Sequence, residues 1–185
     1  MSEAGVPNPA TSSEAKAGLS FVERLLGVLR LDGAAYEDVA GDPSAMGQAA
    51  AVVVAAAAGR ALTAVGGPFS TQGLLFLVQI AALWPASALL VFVIGRWFGH
   101  AGDLQRIARV MGFALAPFAL AAFGLIPVEA VKIAVAFLST ALLIATFVVG
   151  VRHALRTDTS RAGFVTVVIA LVLVFVSMIY GYLSA

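Results

Sequence analysis

The residues that could do chemistry in this chain are few, and most stand at the edges of long apolar runs. Arg60 is the exception. It lies within an apolar stretch, where a charged side chain costs about 2.5 to 3.5 kcal/mol at the centre of a membrane helix. Because it precedes Gly66 by six residues, about 9 Å along a helix axis, it could also snorkel to the surface. Glu129 and Lys132 open a later apolar stretch that enters from that same side. An Arg60–Glu129 ion pair is therefore expected as a structural tie, with an ion or substrate site and simple snorkelling as the alternatives.

His100 and His153 could ligate a metal or haem or relay a proton. Both stand at the ends of apolar stretches, and no stretch has a central histidine. They could meet beside Asp103 and Asp158, but the spacing does not require it. Intramembrane hydrolysis would need paired aspartates, a Ser/His pair or an HExxH zinc helix, and the apolar stretches contain none. Ser87, Ser139, Thr140, Thr146 and Ser177 read as interhelical hydrogen-bonding groups. Glu129 is the only acid within an apolar stretch, and it stands at the edge, which leaves proton-coupled transport without its usual mid-membrane carboxylates. No catalytic residue, metal or cofactor is expected. There is also no phosphate-binding glycine loop and no basic, aromatic nucleic-acid surface.

These residues are positioned by a chain that is 61% hydrophobic and 11% charged, with a mean hydropathy of +1.01, outside the range of soluble domains. Cysteine is absent, which removes disulfides, thiolate metal sites and a cysteine nucleophile. A bilayer core of roughly 30 Å needs about 20 helical residues. Five stretches qualify, at about 44–65, 74–97, 104–123, 129–151 and 162–184. Asp42-Pro43 reads as the cap and first residue of the first helix, and Asp103 as the cap of the third. Pro85 and Pro117 should kink the second and third helices. Gly124-Leu125-Ile126-Pro127 breaks the chain into a tight hairpin between the third and fourth.

The basic residues give the orientation, because positive charge in short loops stays on the cytoplasmic side. Lys16, Arg24 and Arg30 precede the first span; Arg96, Arg106 and Arg109 flank the second break; Arg152, Arg156 and Arg161 flank the fourth. The opposite side receives only Lys132. The N-terminus is therefore expected in the cytoplasm and the C-terminus outside, which requires an odd number of spans.

Residues 1–18 are rich in small and polar types and carry no apolar run, so they read as a disordered tail and not a signal peptide. Residues 19–42 form cytoplasmic or interfacial helices: Phe21, Val22, Leu25, Leu26, Val28 and Leu29 share one side of a helix, and Glu23, Arg24, Gly27 and Arg30 the other. Such a helix should lie in the membrane interface or pack on the bundle ends. A second helix is expected over Ala34 to Ala40, with Tyr36, Val39 and Ala40 on one face. Residues 43–185 form the five-helix bundle. In its first span Ala51, Ala55 and Gly59 repeat every four residues, a spacing that lets helix backbones approach closely, inside the bundle or against a partner.

The stretch from Phe21 to Ala185 resembles the Yip family of five-span membrane proteins, named for Rab/Ypt interaction. The likeness rests on Phe21-Val22-Glu23-Arg24-Leu25-Leu26-Gly27-Val28-Leu29-Arg30 with Tyr36-Glu37-Asp38-Val39, on Gly99-His100-Ala101-Gly102, on Phe113-Ala114-Leu115-Ala116-Pro117, on Gly124-Leu125-Ile126-Pro127, and on Gly150-Val151-Arg152-His153-Ala154-Leu155 with Arg161-Ala162. The aspartate-leucine-tyrosine-glycine motif of eukaryotic members is absent, and a phenylalanine stands where a tyrosine is common. The resemblance implies a five-helix bundle with a cytoplasmic N-terminus. The missing motif and the alanine, valine and glycine richness look like a bacterial member, for which the Rab partners of eukaryotic relatives do not carry over.

The expected protein is an all-α, non-enzymatic protein of a bacterial inner membrane, a scaffold or accessory subunit. Its partners would be membrane lipids and other membrane proteins or a second copy of itself, and not nucleic acid. The competing expectation is a permease or channel component whose pathway passes Arg60, Pro85 and Pro117. A continuous polar cavity lined by Arg60, Gln79 and Glu129 would favour transport, and a closed bundle would favour scaffolding.

Overall fold

The structure, a computed structural model, describes residues 18–99 and 102–183, with side chains placed through residue 173. The expected tail apart from residue 18, His100 and the side chain of Ser177 lie outside the described residues. The described elements are all helical: α1 (Phe21–Leu29), α2 (Gly33–Gly41), α3 (Ala45–Leu62), α4 (Thr71–Trp97), α5 (Leu104–Ala114), a 3-10 helix (Ala116–Leu125), α6 (Glu129–Leu155) and α7 (Thr159–Leu183). Among the described residues, four segments are long and apolar enough to cross a membrane, Ala45–Leu62, Thr71–Trp97, Leu104–Leu125 and Glu129–Leu155, and Thr159–Leu173 is a shorter apolar helix.

Local chemistry sets the helix starts. Ser20 and Glu23 form a reciprocal capping box on α1, and the Ser20 hydroxyl holds the Glu23 carboxyl below its usual value. Asp32, Ser70 and Asp103 accept from exposed N–H groups at the starts of α2, α4 and α5, supplying partners that the first turn of a helix lacks. The first span begins later than Asp42-Pro43 suggests. Asp42 ends α2, its carboxylate accepts from the Ser44 N–H and hydroxyl, and α3 starts only at Ala45. Between α3 and α4, Gly66 and Gly67 take φ values of +83° and +88°, which side chains with a Cβ rarely adopt.

The two intrahelical prolines behave differently. Pro85 lies within a continuous α4, whereas Pro117 does more than kink its helix. α5 stops at Ala114 and the chain runs on as a ten-residue 3-10 helix with Pro117 in its first turn. Proline lacks the N–H and its ring disfavours an α conformation in the residue before it; α4 absorbs that loss at Pro85, while at Pro117 the change to a 3-10 helix coincides with it.

α5 forms the centre of the molecule. Ile107, Val110, Met111, Phe113, Ala114 and Leu115 are fully buried, with α2, α3, α4 and α6 packed around them. The 3-10 helix lies between α3 and α6, and α7 packs on α6 and α4. The outward surface is the reverse of a soluble protein's: Val78 and Leu89 on α4, Ile133, Phe137 and Ile144 on α6, and Phe164 and Leu171 on α7 are exposed. Such a continuous apolar exterior, over helices that satisfy their own backbone, suits hydrocarbon.

Candidate functional site

Polar side chains gather at the two ends of the bundle. At one end, α1 and α2 form a small cap held by Arg24. This arginine is only 2% exposed, although its place beside Glu23, Gly27 and Arg30 predicts an outward face. Its Nε donates to Asp38 Oδ2 at 2.7 Å, Nη2 donates to Asp42, and Nη1 donates to Gln48 Oε1 at 2.9 Å. Burial opposes the charge of Arg24, but the carboxylates of Asp42 and Asp38 outweigh it and raise its pKa. Asp42, held by the Ser44 hydroxyl and then by Arg24, falls to about 2. The pattern was present in the sequence as two acids four residues apart, Asp38 and Asp42, which share one face of a helix and can converge on one guanidinium.

A second network joins the cap to the bundle. Glu37 accepts from Arg106 Nη2 at 2.9 Å, and its other oxygen lies 2.9 Å from His153 Nδ1. Burial would raise the Glu37 carboxyl, yet its bonds to His153 and Arg106 bring it below its usual value. The His153 ring stacks on Tyr36 with centroids 5.6 Å apart, so its described partners are a carboxylate and an aromatic ring. Among the described residues no cluster of three or more His, Asp or Glu side chains could hold a metal. Tyr36 is fully buried, its hydroxyl within 3.2 Å of the carbonyls of Val28 and Thr146, and burial raises its phenol. Arg109 Nη2 donates to the Ala40 carbonyl at 2.7 Å.

With Arg24 turned inward, the exposed side of α1 carries Phe21, Val22 and Leu26, the last two 59% and 43% exposed. The helix therefore docks through Arg24 together with Val28, Leu25 and Leu29, which pack into the core, and leaves Val22 and Leu26 outside.

At the other end lies Arg60. The expected pair with Glu129 is absent: Glu129 lies 3.5 Å from Lys132, its neighbour one turn on. The Arg60 guanidinium instead sits 4.8 Å from the centroid of Phe76 and 5.8 Å from that of Phe118. The reason is local. Arg60 stands in the last turn of α3, where helix carbonyls favour a cation, and two aromatic faces are within reach. Arg60 lines a cavity of about 480 Å3 with Lys132, Ser139 and Thr140, walled by apolar side chains including Leu62, Phe118 and Leu125. Gln79, Glu129, Pro85 and Pro117 do not line it; Gln79 and Pro85 are exposed on α4 and Pro117 is buried.

The small-residue face divides. Gly59 is buried, and a Cβ there would stand 2.8 Å from the Ala119 carbonyl oxygen, so α3 meets the 3-10 helix backbone to backbone. Ala51 and Ala55 face outward. The face packed inside the bundle is that of Ala49, Val52, Val53, Ala56 and Ala57, one or two residues round the helix. Of the expected interhelical hydroxyls, Thr146 reaches another element, donating to the Ala114 carbonyl at 2.8 Å. Ser87 and Thr140 bond back to carbonyls of their own helices, the nearest acceptors available. Ser139 Oγ is buried and finds no partner.

A family model described as the Yip1 domain matches residues 26–181, from within α1 to the last turns of α7. No curated protein and no solved structure matches the chain.

Proposed function

Since this chain belongs to the Yip1 domain family, we propose that it is a non-enzymatic scaffold or accessory subunit, acting through lipid and helix contacts. It is a multi-pass membrane protein. In this reading α7 is the fifth crossing, the α1–α2 cap faces the cytoplasm, and the membrane is a bacterial inner membrane. The gathering of Arg24, Arg106, Arg152 and Arg156 around one end of the helices supports that orientation.

The observation that carries the proposal is the way α1 docks, with part of its apolar side left outside. A helix that buries its arginine and exposes Val22 and Leu26 has an apolar stripe to offer the interface or a partner. The outward Ala51 and Ala55 supply a second contact surface, where a neighbouring helix could approach closely. A transport pathway has less support, since the cavity at Arg60 is lined by none of Gln79, Glu129, Pro85 or Pro117. Purification of the full chain in mild detergent, with mass spectrometry of what accompanies it, tests the proposal. Retained lipid or protein that is lost from an Ala51→Phe/Ala55→Phe variant or a Val22→Ser/Leu26→Ser variant is expected. A monomer that emerges alone and lipid-free would overturn the scaffold reading.

A further inference from the structure

We propose that the cavity at Arg60 is a binding site for an anionic amphiphile, a lipid that carries a phosphate group, entering from the side of the membrane opposite the α1–α2 cap. The site is separate from α1 and from the outward face of α3, and it depends only on the chain lying in a bilayer.

Two observations point to it independently. One is the state of Arg60. Its guanidinium lies against the rings of Phe76 and Phe118, and among the described residues it has no carboxylate partner and no hydrogen-bond acceptor. A cation–π contact uses the charge of a guanidinium and not its N–H donors, which leaves those donors to an oxyanion. Lys132 adds a second positive charge to the lining, and its only acid, Glu129, lies outside the lining. The other observation is Ser139, 7% exposed, a residue of the same cavity lining whose buried Oγ has no partner. Leaving a buried hydroxyl unpaired is costly, and a ligand acceptor would relieve it.

The order of these groups fits one kind of ligand. Lys132 lies in the first turn of α6 and Ser139 seven residues further in, about 10 Å along the axis. Cations at the mouth suit a phosphate, the deeper hydroxyl suits an ester oxygen beneath it, and the apolar walls Leu62, Phe118, Leu125 and Val135 suit the hydrocarbon. A free phosphate would use only the mouth.

The test uses the full chain in neutral detergent, titrated with phosphatidylglycerol, phosphatidylcholine or inorganic phosphate, with the melting temperature and bound lipid by native mass spectrometry as readouts. Phosphatidylglycerol should bind and stabilise, and Arg60→Gln should weaken it about tenfold, the size of one lost charge-assisted contact. Equal binding of phosphatidylcholine, or unchanged binding by Arg60→Gln, would overturn the proposal. Stabilisation by inorganic phosphate equal to that by the lipid would overturn the amphiphile. Should Arg60→Gln fail to fold, Ala136→Phe keeps both cations and fills the cavity; lipid binding should then be lost, and its retention would count against the site.

Discussion

The Arg24 guanidinium and the Asp38 carboxylate meet at 2.7 Å, with the arginine 2% exposed and the aspartate 24%. A charge buried this far is held by its partners, and removing one partner costs more than the pair contributes. The asymmetry here runs one way: the arginine is shut in, while its acids still touch water.

Removing the arginine should therefore cost less than removing an acid from a fully enclosed pair. Arg24→Ala leaves Asp38 and Asp42 able to rehydrate, and the loss should be roughly 2 to 3 kcal/mol, below the 3 to 5 of an enclosed pair. The cap should loosen, and limited trypsin digestion should cut faster after the exposed Arg30. An unchanged cutting rate would show that the apolar contacts of Val28 and Tyr36 suffice.

Acid should release the same cap. The folded-state pKa of Asp42 is about 2, below its usual 3.8, and Glu37 is also lowered. Depressed carboxyls stabilise the fold above their unfolded pKa, and that stability is lost as pH falls through the folded value. The chain has no cysteine, so a fluorophore on Val22→Cys reports one place. Its signal should change between about pH 4 and pH 2, and Asp42→Asn should flatten that profile.

Two glycines of α3 should respond in opposite directions. At Gly47 a new Cβ meets nothing within 4 Å, so Gly47→Ala should stabilise by up to about 1 kcal/mol through helix propensity. At Gly59 it would lie 2.8 Å from the Ala119 oxygen and 2.9 Å from its Cα, backbone atoms that cannot swing aside. Gly59→Ala should destabilise by about 1 to 3 kcal/mol through overpacking. Thermal melts of the two variants in one detergent compare them directly.

Tyr36→Phe isolates a hydrogen bond from the ring that carries it. The hydroxyl bridges α1 and α6 through the carbonyls of Val28 and Thr146, while the ring fills the core and stacks on His153. Losing the hydroxyl should cost about 1 kcal/mol. Tyr36→Ala should cost about 3 kcal/mol or more, because it also opens a cavity. Melting temperatures should fall in that order.

The helices were legible in the sequence because their signals are local. Apolar length marks the spans, and the Asp103 cap and the Gly66-Gly67 turn stand near where the sequence puts them. What was not legible depends on contacts between elements. The periodicity of α1 cannot say which face docks, because the inward pull on Arg24 comes from Asp38, Asp42 and Gln48 on later helices. Arg60 and Glu129 do lie at one end, as the charge pattern implies; the i,i+3 spacing of Glu129 and Lys132 already offered the competing pair, whereas only the fold brings Phe76 and Phe118 beside the arginine. Pro117 was read as a kink. Its effect on the next ten residues depends on how they pack between α3 and α6.

The 3-10 helix after Pro117 also has a mechanical meaning. A 3-10 helix rises about 2.0 Å per residue against 1.5 Å for an α-helix, so its ten residues reach about 20 Å where an α-helix would reach about 15 Å. The third membrane-crossing segment is thus a drawn-out spring about 5 Å longer than its sequence would span as α-helix. Ten residues thereby cover a length for which an α-helix would need about thirteen.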